Sequence, residues 1–81
     1  MTVFLDSDVE EIFHSLPAPV QALASESFRL IGVFPEMFAQ RRRGVFKGYR
    51  YFVAGPYLFY YSVSSDQIRI VGILHGRMRR A

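Results

Sequence analysis

The chain has 81 residues and no cysteine, so it has room for one domain and cannot form a disulfide scaffold or a cysteine-based zinc site. Its composition, 51% hydrophobic and 21% charged, is that of a globular protein and excludes a disordered chain. No apolar run approaches the roughly 20 residues of a membrane span, and the N-terminus lacks the features of a signal peptide. We therefore expect a single domain over residues 1–81, located in the cytoplasm and not associated with a membrane.

The charges are distributed unevenly along the sequence. Residues 1–36 carry six acidic residues and one arginine, a formal charge of −5, whereas residues 37–81 carry nine basic residues and one aspartate, a formal charge of +8. Nine of the ten basic residues are arginines, whose guanidinium groups bind phosphate or carboxylate in a forked geometry. A solvated basic surface has the same pattern, but the asymmetry favours a polyanion or an acidic protein as a partner of the C-terminal half.

The N-terminal half predicts a short strand followed by two helices. Thr2–Leu5 is apolar and β-branched, as in a brief strand. Ser7 and Glu10 have the spacing of a capping box at the start of the first helix, and Pro17 and Pro19 separate that helix from the second. The predicted inward faces are Val9, Ile12, Phe13 and Leu16 in the first helix and Val20, Leu23, Ala24, Ser27, Phe28 and Ile31 in the second. We expect Phe13, Leu23, Phe28 and Ile70 in the core.

The C-terminal half predicts three strands. The apolar runs are Val45–Ala54, Tyr57–Val63 and Gln67–His75. In the last run Ile68, Ile70 and Leu74 should share one face, with Ile73 on the other. The connections are too short for a parallel crossover, so the runs should form an antiparallel meander. We expect an α+β domain with a short N-terminal strand and a two-helix hairpin packed on this three-stranded meander. The helices can cover only one apolar face of the sheet, which leaves the other face open for a partner.

Few residues point to catalysis. His14 fits an exposed position on the first helix, whereas His75 leaves a strand and precedes a cluster of arginines. That pattern suits an acid–base group beside a phosphate clamp, although spacing alone favours a basic tail. The tyrosines of the strands could stack on RNA bases, but sheet packing explains most of them as well. No spacing of histidines and carboxylates predicts a metal site, and no cofactor is indicated.

The strands resemble a known family. The run from Gly48 to Val63 is similar to the middle of RelE/ParE superfamily toxins, which carry a G-x-R step and then a G-x-Y-R-hydrophobic-x-Y strand. The segment from Ile68 to Arg77 resembles their last strand, which often closes in H-G-R or H-x-R, and the order of elements also agrees. The resemblance implies a single RelE/ParE-like toxin domain of a bacterial type II toxin–antitoxin system. It also implies a cognate acidic antitoxin whose disordered segment folds along the toxin.

The superfamily contains two activities, and both remain open alternatives. RelE-like members cut messenger RNA on the ribosome: the 2′-hydroxyl attacks the adjacent phosphate, basic residues stabilise the added charge, and an acid protonates the leaving oxygen. ParE-like members instead inhibit DNA gyrase. A third alternative is an inactive interaction module on the same fold. A homodimer and a toxin–antitoxin hetero-oligomer are both compatible with the resemblance.

The motif positions supply the candidate site residues. If the chain is RelE-like, the resemblance implies that His75, Arg77 and Arg50 are catalytic. The residues it implies for binding a target or RNA are Lys47, Arg50, Tyr57, Tyr60, Arg77, Arg79 and Arg80, with no metal. The chain departs from the family pattern at Leu58, where the RNA-cutting branch commonly has an arginine that contacts the scissile phosphate. This departure, together with the single lysine Lys47, favours the ParE-like branch.

Overall fold

A computed structural model describes residues 1–76, which form a four-stranded sheet with two helices. The elements in chain order are β1 (Thr2–Leu5), α1 (Ser7–Ser15), α2 (Ala18–Val33), β2 (Arg50–Ala54), β3 (Tyr57–Val63) and β4 (Gln67–His75). The strand order is β1-β4-β3-β2, in which β2, β3 and β4 form the predicted antiparallel meander and β1 pairs in parallel with β4. The α+β architecture is therefore confirmed, and β1 extends the meander into a mixed sheet. No helix within residues 1–76 is long and apolar enough to cross a membrane.

Prolines define the boundary between the two helices, as predicted. Leu16 leaves α1 in an extended conformation, with a ψ of 156°, because the following proline disfavours helical backbone at this position. Pro19 lies in the first turn of α2, where its missing N–H removes no helical hydrogen bond. The side-chain amide of Gln21 donates hydrogen bonds to the carbonyls of Leu16 (2.8 Å) and His14 (3.2 Å). These bonds fasten the start of α2 to the end of α1.

The core between the helices and the sheet is largely aromatic. Phe52 of β2 lies opposite Phe59 of β3, and their rings stack with centroids 5.0 Å apart. Phe28 of α2 meets both rings edge-on at 5.8 Å, and Phe13 of α1 packs against Phe28 at 5.5 Å. The predicted core positions of Phe13 and Ile70 are confirmed, and the half-buried Phe28 packs against the same cluster.

The predicted inward faces of the two helices include residues that the structure leaves exposed. Ile12 and Leu23 are 43% and 54% exposed, so the prediction that they face the core is wrong. Each helix buries only a narrow stripe against the sheet, which in α2 consists of Val20, Ala24 and Ile31. The predicted capping box is also absent, because α1 starts at Ser7 itself and no side chain caps its first turn from the N-cap position.

A β-bulge in β4 changes which residues face the helices. Tyr60 pairs with Gly72, but the next residue of β3, Tyr61, pairs with Ile70, so Val71 is an extra residue in β4. The inward alternation therefore shifts by one residue after Ile70, and Ile73 joins the core. The prediction that Ile73 faces away from the helices is wrong for this reason.

The first strand of the meander is shorter than predicted, since β2 begins at Arg50 and not at Val45. Gly44 and Gly48 have φ angles of 86° and 91°, in the left-handed region that favours glycine. The backbone therefore turns between these glycines and does not extend. Residues 34–49 consequently form one long loop between α2 and β2, and loops of this length are commonly functional.

Candidate binding surface

The loop of residues 34–49, which we call the basic loop, carries Arg41, Arg42, Arg43 and Lys47. Its backbone pairs with the outer edge of β2. The Tyr51 N–H of β2 donates to the carbonyl of Ala39 (3.2 Å), and the Arg41 N–H donates to the carbonyl of Tyr49 (2.7 Å), the last loop residue before β2. These bonds give the loop a defined position and occupy part of the sheet edge that β2 would otherwise leave open.

None of the four cations of the basic loop has an acidic partner within residues 1–76. The contacts between acidic and basic side chains within residues 1–76 join Glu10 to His14, Glu26 to Arg29 and Asp6 to Arg69, all of them outside the loop. The Nε of Arg41 donates to the carbonyl of Arg43 at 3.0 Å, so its polar contact is with backbone. The loop contains these four cations and one acidic residue, Glu36, so its formal charge is +3, which attracts anionic partners.

Arg50 anchors the basic loop to the sheet. Its Nη1 donates to the carbonyls of Phe38 (2.7 Å) and Glu36 (3.3 Å). Arg50 and Lys47, both predicted to bind a target, line one open groove of about 430 Å³ with Glu36 and Tyr61. The structure thus brings two of the predicted binding residues to the same concave surface.

Tyr61 of β3, the cross-strand neighbour of Arg50, also holds the loop. Its hydroxyl donates a hydrogen bond to the carbonyl of Pro35 (2.9 Å). Burial raises the pKa of the Tyr61 phenol above its usual value, and the positive charge of Arg50 opposes this rise without cancelling it. The phenol is therefore neutral at physiological pH and serves as a hydrogen-bond donor that holds the loop.

The basic loop also covers the centre of the second sheet face, so the prediction that this face lies open is wrong there. Phe46 of the loop stacks on Tyr60 of β3, with ring centroids 4.3 Å apart and planes inclined by 11°. The Phe46 ring fills the space above Gly72, where a Cβ atom would lie 2.6 Å from Phe46 Cζ. Tyr60 is only 1% exposed, so a target cannot touch it unless Phe46 moves. Phe4 and Val53 on this face remain about half exposed.

The order of strands and helices is consistent with a comparison of the sequence with known protein families. The family model of the ParE toxin of the type II toxin–antitoxin system parDE matches residues 5–80. The chain belongs to the ParE toxin family. No curated protein is significantly similar to it. The predicted membership of the RelE/ParE superfamily is confirmed, because the match includes both helices and the whole meander.

In this ParE-family chain the motif histidine and the motif arginine lie towards opposite ends of the sheet. His75 pairs with Tyr57 at one end of β3, whereas Arg50 pairs with Tyr61 further along the same strand. At a rise of about 3.3 Å per residue, the two positions are about 13 Å apart along the strand, and they lie on opposite sides of it. The rings of His75 and Tyr57 meet edge to face at 5.2 Å. Since carbonyls of the basic loop also hold the Arg50 guanidinium, His75 and Arg50 do not converge on one phosphate.

Leu58, the departure from the pattern of the RNA-cutting relatives, is a packing residue in this ParE-family chain. It pairs with Leu74 in the register and is only 2% exposed. An arginine at this position would place a charge where the strand provides a buried apolar environment, which is costly without a partner. The apolar residue is therefore integrated into the packing of the sheet.

The remaining predicted residues are only partly described. Arg77, Arg79 and Arg80 lie outside residues 1–76. Tyr57 is half-buried, packed against the core and in contact with His75. In the described part of the chain, no group of three or more histidine, aspartate or glutamate side chains is placed to hold a metal ion.

Two features of this surface were not predicted from the sequence, the arginine run Arg41–Arg43 and the ring of Phe46. The run was visible as three adjacent arginines followed by Gly44, but its residues were assigned only to the overall charge and not to a site. Phe46 was assigned to a strand because it lies in an apolar run. Its contact with Gly72 joins residues that are distant in sequence, so no local pattern indicated it.

Proposed function

We propose that this ParE-family chain is a toxin that binds and inhibits DNA gyrase and does not cut RNA. The match to the ParE toxin family supports gyrase as the target, and the separation of His75 from Arg50 along β3 supports the part of the proposal that excludes RNA cleavage. Cleavage by an attacking 2′-hydroxyl needs an acid–base group and cations around a single phosphate. The buried Leu58, at the position where RNA-cutting relatives carry an arginine, supports the same conclusion.

An acidic antitoxin is the second part of the proposal. Membership of the ParE toxin family implies an antitoxin in the same system. The charge of +8 over residues 37–81 and the unpaired cations of the basic loop support an acidic partner. Such a partner neutralises the toxin by covering its basic surface.

A supercoiling assay tests the gyrase proposal. Purified chain is titrated into DNA gyrase with relaxed plasmid and ATP, and plasmid topology is resolved on an agarose gel. We expect increasing chain to abolish supercoiling, and a cognate acidic antitoxin to restore it. Arg79→Gln with Arg80→Gln should weaken inhibition, whereas the matched control Arg29→Gln with Arg69→Gln, which also removes two arginines, should not. Full supercoiling at a large excess of folded chain would contradict the proposal.

Expression of the chain in bacteria without an antitoxin separates the alternatives. Transcripts with new ends inside codons, lost in the variant His75→Ala with Arg77→Ala, would support RNA cleavage and contradict gyrase inhibition. Normal growth during expression without an antitoxin would support an inactive interaction module. We expect neither result, and we expect growth arrest with intact transcripts.

A further inference from the structure

The basic loop forms a cationic depression, which we call the arginine depression, at the second face of the sheet. It has a volume of about 370 Å³ and is lined by Ala39, Gln40, Arg41, Arg42, Arg43 and Tyr51. Tyr51 pairs with Tyr60 in the register, and their rings lie 5.6 Å apart. The depression therefore belongs to the face that Phe46 covers. The groove beside Arg50 belongs to the face that packs on the helices, because adjacent residues of a strand point to opposite faces.

Backbone hydrogen bonds hold the arginine run in place. The Arg41 N–H donates to the carbonyl of Tyr49 (2.7 Å), and the Arg41 carbonyl accepts from the N–H of Gly48 (2.8 Å). The Arg41 Nε also donates to the carbonyl of Arg43 (3.0 Å), which links the two ends of the run. A surface whose backbone is already ordered loses less conformational entropy when a ligand binds. The run is therefore prepared for binding in a way that a flexible basic tail is not.

The guanidinium groups of the run are available to a ligand. The bond to Arg43 uses one of the five N–H donors of the Arg41 guanidinium. Arg42 and Arg43 are exposed, and neither has an acidic partner among the described residues. The side chains that line the depression include three cations and no carboxylate. This arrangement predicts a ligand with several anionic oxygens.

The lining of the depression fits a nucleic acid better than a protein segment. Apart from Ala39, every side chain of the lining is charged or polar. The centre of a protein–protein interface is usually apolar, whereas nucleic-acid interfaces are more polar and more positively charged. Arginine side chains and tyrosine hydroxyls are both common contacts of phosphate oxygens.

The neighbouring aromatic rings favour a duplex over a single strand. Proteins that bind single strands stack the unpaired bases on aromatic side chains. Here Phe46 stacks on Tyr60 with ring centroids 4.3 Å apart, so these two rings are already paired with each other. A duplex keeps its bases stacked inside and presents phosphates, which the arginines can contact.

We propose that the arginine depression binds the phosphate backbone of duplex DNA without reading its sequence. The guanidinium groups of Arg41, Arg42 and Arg43 pair with phosphates, and the phenol of Tyr51 donates to a phosphate oxygen. The choice of DNA over RNA rests on the proposed function, because gyrase acts on duplex DNA. This contact holds the chain on the substrate of gyrase, and an acidic antitoxin that covers the basic loop excludes the DNA.

Fluorescence anisotropy of a labelled DNA duplex of arbitrary sequence, titrated with the full chain at several salt concentrations, tests the proposal. Arg42→Gln with Arg43→Gln should weaken binding by at least about tenfold at low salt. It should also reduce the slope of log affinity against log salt by about 2, since each phosphate contact contributes about 0.9. The control Arg29→Gln with Arg69→Gln removes the same charge elsewhere and should leave the slope unchanged. Thermal unfolding confirms that each variant is folded.

Tyr51→Phe locates the contact independently of charge. It removes a hydroxyl group and leaves the net charge unchanged, so overall electrostatic attraction stays the same. We expect DNA binding to weaken by about threefold with the same salt slope, as for the loss of one neutral hydrogen bond. Unchanged affinity in this variant would contradict the proposed contact of Tyr51.

Two further probes distinguish DNA from other anions. A polyglutamate peptide with as many negative charges as the duplex should bind at least about tenfold more weakly, because DNA has a condensed layer of counterions to release. A peptide that binds as tightly as DNA would assign the depression to an acidic protein. An RNA duplex should bind no more tightly than DNA, and tighter binding would assign the depression to RNA.

Equal loss of affinity and of salt slope in the control variant would overturn the inference, because binding would then follow overall charge. Gyrase is absent from these titrations, so the two proposals fail separately. DNA binding without any effect on supercoiling would contradict gyrase inhibition alone. Inhibition of supercoiling by a chain that does not bind DNA would contradict the arginine depression alone.

Discussion

At the scale of single residues, the missing side chain at Gly72 determines where the basic loop lies. The Phe46 ring occupies the notch above this glycine and stacks on Tyr60, which is the contact between the loop and the second sheet face. Stacked aromatic pairs add to the free energy of burial, and here the pair also positions the four cations. The loop is therefore held on both faces of the sheet, by Phe46 on one and by Arg50 on the other.

Gly72→Ala should destabilise the chain by about 1–3 kcal/mol, because the new methyl group and the Phe46 ring require the same space. In a Phe46→Ala background the same substitution should cost much less, since the ring is no longer present. Urea unfolding of the four proteins measures the two costs. Equal costs in both backgrounds would contradict the contact.

The buried phenol of Tyr61 should make the stability of the folded chain depend on pH in the alkaline range. Because burial raises the pKa of its phenol in the folded chain, the unfolded chain loses this proton first as the pH rises. The stability that depends on the neutral phenol is complete below the unfolded pKa of about 10 and is lost as the pH rises through the folded pKa.

Tyr61→Phe should therefore lose stability at neutral pH, by about 1 kcal/mol for the hydrogen bond to Pro35, and should show a smaller further loss above pH 10. Urea unfolding across the alkaline range measures both effects. The other tyrosines are common to both proteins, so their titration cancels in the comparison. Identical alkaline curves for the two proteins would be inconsistent with this role.

At the scale of elements, small residues let α2 lie close to the sheet. Ala24 is fully buried in the stripe that faces the strands, whereas Ala22 on the same helix is exposed. Gly55, with a φ of 59°, turns the chain between β2 and β3, and a Cβ there would lie 3.1 Å from Val20 of α2. The turn at Gly55 and helix α2 therefore pack closely against each other.

Ala24→Leu should destabilise the chain by about 1–3 kcal/mol, because a larger side chain would push α2 from the sheet. Ala22→Leu is the matched control and should be nearly neutral. In thermal unfolding, each kcal/mol corresponds to about 4–8 °C in a domain of this size. A similar melting temperature for both variants would show that α2 does not pack on the sheet through Ala24.

At the scale of the whole molecule, charge is divided between the halves of the chain. The ion pair of Asp6 with Arg69, at 3.5 Å, joins the two halves, but it is exposed and contributes little stability. Within residues 1–76, the four cations of the basic loop form no ion pair and are available to a partner. The fold determines the shape of the basic loop's surface, and the arginines and lysine of the loop make that surface positively charged.

Binding of an acidic antitoxin should weaken as salt is added, because the screening length falls from about 10 Å at 0.1 M to about 3 Å at 1 M salt. Titration calorimetry at several salt concentrations measures the slope. Arg42→Gln with Arg43→Gln should reduce that slope, and Arg29→Gln with Arg69→Gln should change it less. Affinity that does not vary with salt would contradict an electrostatic contribution.

The binding surface was only partly predictable. Lys47 and Arg50 were predicted to bind a target, and the structure places them on one groove, although their role in binding is still a prediction. Tyr60 was predicted for the same role, but its burial under Phe46 depends on a contact between distant parts of the chain. Exposed apolar residues such as Phe34 were not identified, because exposure follows from where α2 ends relative to the sheet.

The order of elements, the break at Pro17 and Pro19 and the division of charge follow from the sequence alone, because proline geometry, side-chain periodicity and composition act locally. It is the three-dimensional fold that turns Ile73 inward through the bulge at Val71 and places Phe46 over Gly72. It also decided that His75 and Arg50 lie apart. These features depend on strand register and on packing between segments distant in sequence, which no local pattern specifies.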